Sequence, residues 1–358
     1  MKTSLIWLNY NSINILETVK KSLSSIFDLN YDNYELIIVD NASNDGSFKA
    51  IVDYVDKHKP SNVIVKYVRS DVNRGYAGGM NLGWQAREPD SKYVVFLNND
   101  LIVEPESLRQ LIDFLDYEDS VAAVSGLIMQ PDNSRIYSAG WAVDEILNVI
   151  GICSGATRSD CITADKPHPV SYADGAYYVA KVDVIKRFGF DGKPFIDETF
   201  LYWEDSLLSF RLWNSGYSSY YVPVKAGVHY VSLTTQQIGA VKYYPLRGRF
   251  IAYSVVKVPY SRFVAVHYYR VKLLSRILCK YGYEKFCKIY KAVVDGWTTG
   301  NKIRSKFGYI ELKKVPRIRL SSIIKLGHKV LPMRLITPLY MKAVFIKSNY
   351  ILHDILSV

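Results

Sequence analysis

Phe96-Leu97-Asn98-Asn99-Asp100 closes an apolar run, begun at Tyr93-Val94-Val95, with two amides and a carboxylate. Aromatic and β-branched residues without polar alternation predict a strand buried on both faces, the kind found in parallel sheets flanked by helices. Ligands bind such sheets beyond the carboxyl ends of the strands. Asp100 therefore stands where a hard oxygen ligand for a cation is useful.

Working outward, residues 5–8 and 63–68 predict strands, and 36–39 a continuous apolar strand ending at Asp40. Residues 13–26, 46–55, 78–86 and 105–115 predict helices, the last with Pro105 in its first turn. A further strand is expected at 121–125. This alternation predicts an α/β fold, a Rossmann-like and mostly parallel sheet flanked by helices. From 129 to 171 turn formers replace any period, so loops and short antiparallel strands are expected. Then come a strand at 176–182, a short helix at 184–188, a loop at 195–203 and a helix at 204–215 ended by Gly216. Short strands follow at 220–222 and 226–230. Two regions are expected: a catalytic domain over 1–250 and a basic helical extension over 251–358.

Composition sharpens that division. Residues 1–240 carry 21 Lys and Arg against 30 Asp and Glu, whereas 241–358 carry 24 against 4. The net +11 thus belongs entirely to the C-terminal third, and so lopsided a block suits an anionic membrane surface. Mixed with Tyr, Ile, Leu and Phe at helical spacing, it predicts helices lying among lipid headgroups. No nucleic-acid module is recognisable, so nucleic acid is not expected as a partner. Aromatics make up 14%, with 29 Tyr, a composition suited to sugar pockets or membrane interfaces. Cys153, Cys161, Cys279 and Cys287 lack zinc-site spacing, and reduced thiols in an intracellular protein are expected. The N-terminus has no signal-peptide pattern, and the most apolar stretch, 250–269, is broken by Lys257, Pro259 and Arg262. A cytoplasmic protein, peripheral at the cytoplasmic face of the membrane, is expected.

Three strand ends finish in polar residues: Asn9-Tyr10-Asn11, Asp40-Asn41-Ala42-Ser43 and Asn98-Asn99-Asp100. Singly, Asn9 and Asp40 could cap the helices that follow. Three such ends on one sheet point instead to a nucleotide, with Asp40 accepting hydrogen bonds from base or ribose. Asn73-Arg74-Gly75-Tyr76-Ala77-Gly78-Gly79-Met80-Asn81 is a Gly-rich turn whose amides could approach a diphosphate, Arg74 adding charge. It lacks both the P-loop lysine and the dinucleotide fingerprint. Glu204-Asp205 opens a helix with paired carboxylates, suited to general-base work.

In this order, the motifs Asn9-Tyr10-Asn11-Ser12, Val39-Asp40-Asn41-Ala42-Ser43, Asn73 to Asn81, Leu97-Asn98-Asn99-Asp100 and Trp203-Glu204-Asp205 resemble the family 2 glycosyltransferases of GT-A fold. They are most similar to the rhamnosyltransferase-type branch, over residues 3–250. The resemblance implies inverting, metal-dependent transfer of a sugar from a nucleotide-diphosphate donor to a hydroxyl of a lipid-linked or cell-surface glycan. It implies that Asn9, Asp40, Asn73, Arg74, Gly78, Asn98 and Asn99 hold the donor. By it, Asp100 and His229 ligate Mg²⁺ or Mn²⁺, with Asn98 standing where the family's metal motif has its first Asp. Asp205 is implied as the base with Glu204 beside it, and Asp174-Gly175-Ala176 as the acceptor-side loop. Residues 243–249 resemble the family's closing segment, Gly248 replacing an Asn, and Trp141 and Trp203 are candidates for stacking on sugar rings. Two other readings are a polyprenyl-phosphate sugar synthase, which needs no strong base, and a catalytically silent nucleotide-sugar binder.

Overall fold

The computed structural model describes residues 2–230 and 243–319 and the backbone of 356–357. The distal part of the expected basic extension, 320–355 and 358, lies outside the described residues. Four parallel strands open the chain: β1 (Thr3–Asn9), β2 (Tyr34–Asp40), β3 (Ile64–Arg69) and β4 (Tyr93–Asn98). They are joined by α1 (Leu16–Phe27), α2 (Ser47–His58) and α3 (Gly75–Ala86). The register pairs Asn9 with Asp40 and Leu8 with Asn98, so all three polar strand ends share one sheet edge. Leu36, Ile37, Ile38 and Val39 are fully buried, as an apolar strand covered on both faces must be.

After β5 (Leu101–Val103), α4 (Ser107–Tyr117) and β6 (Val121–Met129) come four short strands: β7 (Ile136–Ser138), β8 (Trp141–Asp144), β9 (Val149–Gly151) and β10 (His168–Pro169). Strand β11 (Tyr177–Lys181) inserts antiparallel between β4 and β6. Helices α5 (Val182–Phe188) and α6 (Glu204–Asn214) lead to β12 (Ser218–His229). The main sheet runs β10-β12-β6-β11-β4-β1-β2-β3, with β5 on β12 and β7 on β6.

Strand β12 replaces the two short strands expected at 220–222 and 226–230. Its pairing with β6 shifts register between Tyr221 and Lys225 and again before Gly227, around Pro223, which has no N–H for the ladder. The strand bends there without ending. Its last residues pair with β5, His229 opposite Leu101, and the Tyr230 N–H donates to the Asp100 carbonyl (3.0 Å). Asp100 and His229, 129 positions apart, are thus set side by side.

Helices α7 (Tyr243–Val255), α8 (Ser261–Lys280) and α9 (Glu284–Phe307) follow, with β13 (Val256–Lys257), β14 (Ile310–Glu311), β15 (Arg317–Ile318) and β16 (Leu356–Ser357). The boundary expected near 250 falls inside α7. Phe250, Ile251 and Val255 of α7 and Val293 and Ile303 of α9 share a buried cluster with Leu207 and Phe210 of α6. Among the described residues no helix is long and apolar enough to cross a membrane.

One expectation is overturned. Cys153 is bonded to Cys161 and Cys279 to Cys287, with Cα separations of 5.9 and 4.8 Å, so the thiols are not reduced. Spacing alone hid this, because each pair closes across a turn: Cys153 sits in a left-handed bend, and the α8–α9 corner separates the second pair.

Candidate active site

A cleft of about 390 Å³ opens over the polar edge of the sheet. At one corner Asn98, Asn99 and Asp100 meet His229. Asp100 and His229 are both buried, with His229 Nε2 3.0 Å from Asp100 Oδ1 and 3.3 Å from Asn98 Nδ2. Burial alone would lower the His229 pKa, but the Asp100 charge and hydrogen bond, helped by Asp174, turn the net shift upward. His229 Nδ1 is buried without a hydrogen-bond partner among the described residues. No cluster of three or more His, Cys, Asp or Glu side chains suited to a metal occurs among the described residues. The pair nevertheless fits a divalent cation whose remaining positions are filled by a ligand's oxygens and water. Imidazole plus carboxylate is a donor set that Mn²⁺ and Mg²⁺ sites tolerate, and an unpartnered buried imidazole nitrogen leaves room for the ring to change its bonding.

Glu204 and Asp205 open α6 on the same cleft. The backbone leading to them is strained: Phe200, Tyr202 and Trp203 have φ of 66°, 71° and 77°, although none is glycine. Such residues cost ~1–3 kcal/mol each and persist where surrounding structure demands them. Gly248 helps explain how the segment fits. A Cβ there would lie 2.8 Å from both the Tyr202 carbonyl oxygen and the Trp203 ring, so an Asn at 248 has no room. Burial, then the neighbouring Asp205 charge, raises the Glu204 pKa, and Glu204 Oε2 has no hydrogen-bond partner among the described residues. Burial, then the Asp174 charge, pushes Asp205 up to about 6. Three donors restrain that rise: the Ser206 N–H and Oγ–H on Oδ1 (2.7 and 3.1 Å) and the Gly175 N–H on Oδ2 (3.2 Å). A side chain at 175 would displace the Asp205 carboxylate, since a Cβ would stand 2.7 Å from Asp205 Oδ2.

An aromatic wall completes the cleft. Trp141 stacks on Tyr172 (centroids 6.0 Å apart, planes 6° apart), and the Tyr137 ring meets both Trp141 and His229 edge-on. Asp174 fixes the wall by accepting from Trp141 Nε1 (2.7 Å) and Ser138 Oγ (2.5 Å). Tyr137 and Tyr172 carried no motif in the sequence. Tyr137 comes from the region without period and Tyr172 from just beyond it; they are gathered because β7 pairs with β6 and Tyr172 is bridged to Trp141 of β8. Trp203, by contrast, is buried at the cleft floor.

Not every expected site residue lines this cleft. Asn73, Asn98, Asn99, Asp100, Glu204, Asp205 and His229 do; Asn9, Asp40, Arg74 and Gly78 do not. Asn9 and Asp40 are fully buried beneath it, Asn9 Nδ2 donating to Asp40 Oδ1 (3.0 Å) while Asp40 Oδ2 takes the Ser43 N–H and pairs with Arg69. The next residue, Asn41, takes the position on the cleft. Helix α3 starts at Gly75, three residues before the expected start, and the amides of the turn are engaged. Arg74 N–H donates to Asn41 Oδ1 (2.9 Å), Gly75 N–H to Asn73 Oδ1 (2.8 Å) and Ala77 N–H to the Phe200 carbonyl (3.2 Å). Arg74 itself is exposed, its Nε on Ser70 Oγ (2.9 Å). Arg247 is also engaged, paired with Asp295 (2.5 Å) and donating to the Thr199 and Glu198 carbonyls, so it braces α7 against α9.

Comparison with known proteins agrees with this architecture. Residues 4–163 match the sequence model of Glycosyl transferase family 2, and residues 93–280 that of Glycosyl transferase family group 2. A poly-β-1,6-N-acetyl-D-glucosamine synthase of Staphylococcus epidermidis is 26% identical over 212 residues, 59% of this chain and 46% of the relative. The matching protein of Staphylococcus aureus strain COL is 27% identical over 213 residues, with the same coverage. The match thus spans about half the length of these curated relatives. Among solved structures, a mannosyltransferase from Pyrobaculum calidifontis in complex with GDP-Man and Mn²⁺ is similar at a TM-score of 0.51 and 16% identity, over 85% of this chain and 86% of its own. GalNAc-T7, solved with UDP, GalNAc and Mn²⁺, is similar at 0.57 and 14% identity, over 88% and 59%. The fold is the GT-A arrangement.

Proposed function

We propose the function from one premise: the chain belongs to the family 2 glycosyltransferases. It moves a sugar from a nucleoside-diphosphate donor to a hydroxyl of a lipid-linked or cell-surface glycan, inverting the anomeric carbon. The observation that carries this reading is one cleft lined both by Asp100 with His229 and by Glu204 with Asp205. A relative that makes a poly-N-acetylglucosamine supports a glycan product. The basic extension supports work at an anionic membrane surface.

The donor nucleotide is assigned to the sheet edge formed by Asn41, Asn73, Asn98 and Asn99, with Asn9, Asp40, Arg74 and Gly78 holding that edge in shape. The acceptor is assigned to the wall of Trp141, Tyr137 and Tyr172. Its hydroxyl oxygen attacks the anomeric carbon, the bond to the diphosphate oxygen breaks, and the hydroxyl proton passes to Asp205. With one donor on Oδ2, that oxygen keeps a lone pair for the proton. A divalent cation held by Asp100 and His229 would offset the negative charge of the departing diphosphate. The base at Asp205 argues against a polyprenyl-phosphate acceptor, which is already ionised.

A screen of UDP-, GDP- and dTDP-sugars for metal-dependent hydrolysis and transfer tests the reading. Turnover of one donor class is expected, and neither binding nor turnover of any nucleotide sugar would overturn it. The pH profile is a second test. Asp205 accepts a proton only when ionised, so kcat should be lost as pH falls through about 6 and level off above, rather than near the ordinary carboxylate range. A profile flat down to pH 5 would remove Asp205 from the role. For the acceptor wall, Trp141→Ala should raise acceptor KM about tenfold while donor binding holds, the scale of one lost aromatic contact. Unchanged acceptor KM would place the acceptor elsewhere.

A further inference from the structure

We propose that α8 docks this protein on an anionic lipid bilayer through an apolar strip that the other described residues leave uncovered. The helix has two faces. Val264, Tyr268 and Ser275 are buried, and Tyr268 stacks on Trp297 of α9 (centroids 4.1 Å apart). Opposite them, Phe263, Val266, Tyr269, Leu273, Leu274 and Ile277 are 41–66% exposed, at the three- and four-residue spacing that keeps them on one side. Single exposed apolar residues are ordinary on protein surfaces, whereas six in register along one helix mark a contact surface.

Charge decides what covers the strip. Arg262, Arg270, Arg276 and Lys280 stand exposed beside it, and none is ion-paired among the described residues. From 243 to 283 the sequence has eight Lys and Arg and no Asp or Glu. A second copy meeting this face symmetrically would set arginine against arginine. An anionic bilayer satisfies both halves: apolar side chains sink between headgroups while long basic side chains reach the phosphates. Tyr260, Tyr281 and Tyr283, exposed at the two ends of the helix, are the residue type that prefers the interface. The docking surface is independent of the transfer reading, because vesicle binding needs no donor.

The test is flotation of the full chain with vesicles of phosphatidylcholine alone or with 30% phosphatidylglycerol. Recovery is expected only with the anionic vesicles and is expected to fall in 0.5 M salt. The double variant Leu273→Glu with Leu274→Glu should lose at least tenfold of the binding, and Arg270→Glu with Arg276→Glu likewise, both with an unchanged melting temperature since these side chains are exposed. A control pair away from the strip, Lys49→Glu with Lys57→Glu on α2, should bind as the parent does. Equal recovery with both vesicle types, binding to neither, or full binding by the strip variants would overturn the proposal. So would a salt-stable dimer that the Leu273 and Leu274 variant turns into monomer, which would assign the strip to a second copy.

Discussion

Asp205→Asn is expected to lose sugar transfer by ~10²–10⁴-fold, the usual range for removing a general base, while still binding the donor nucleotide. The substitution keeps the side chain's outline and removes only its ability to take a proton. Its Oδ1 can still accept from Ser206, but its amide would face the Gly175 N–H, donor against donor, in place of the present hydrogen bond. Circular dichroism and the melting curve therefore belong beside the assay, as does Asp205→Glu, which restores a base on a longer stem. Two readouts separate a base from a merely structural acid. In the Asn variant the remaining rate should no longer fall through pH 6, because the group that titrated there is gone. Equilibrium titration with donor nucleotide should be unchanged. Transfer near the parent rate with failed donor binding would move Asp205 to the donor side. Glu204 shares the cleft and carries the more strongly raised pKa, its burial and the adjacent Asp205 charge outweighing the backbone N–H groups of Glu204 and Tyr202 that favour the ionised form. Of the two, Asp205, whose pKa is raised less, is the more fully ionised and so the better base at neutral pH.

Much of this arrangement was legible beforehand where local pattern and tertiary role coincide. The apolar runs ending at Asn9, Asp40 and Asn98 are the parallel strands, and their shared edge is the cleft floor. Which side chain at each edge reaches the cleft was not legible. Asp40 ends its strand directed into the network of Asn9, Ser43 and Arg69, and the chain turns so that Asn41 takes the outer position. The Gly-rich turn suggested open amides, yet its own asparagines close them, since short amide side chains satisfy backbone donors two residues away or across a turn. Tyr137, Trp141 and Tyr172 were illegible as a group, because short strands without alternation give no sign of which neighbours will meet. The same holds for the cysteines, whose pairing depends on turns.

Asp100→Ala is expected to abolish metal-dependent donor binding and, with it, transfer. Residues that merely orient a metal ligand cost 10–100-fold in affinity when removed, so deletion of a ligand from a pair should exceed ~100-fold. With Asn98 rather than Asp at the first position of the triplet, Asp100 is the one carboxylate that the triplet offers a metal. The fold should survive. The Asp100 carbonyl, which holds Tyr230, belongs to the backbone, and β5 still pairs with β12. His229 loses its carboxylate partner and becomes a buried neutral imidazole, a state its burial already favours. The direct measurement is Mn²⁺ titration by calorimetry, with and without donor nucleotide. The parent chain should bind Mn²⁺ far more tightly with the nucleotide present, because its two side chains leave most of the coordination to diphosphate oxygens and water. The variant should lose that difference. Asn98→Asp runs the argument in reverse: a second carboxylate at the strand end should tighten Mn²⁺ binding in the absence of nucleotide. Parent activity in excess chelator, or an Asp100→Ala chain that transfers sugar at the parent rate, would leave this corner as a buried hydrogen bond between two strand ends.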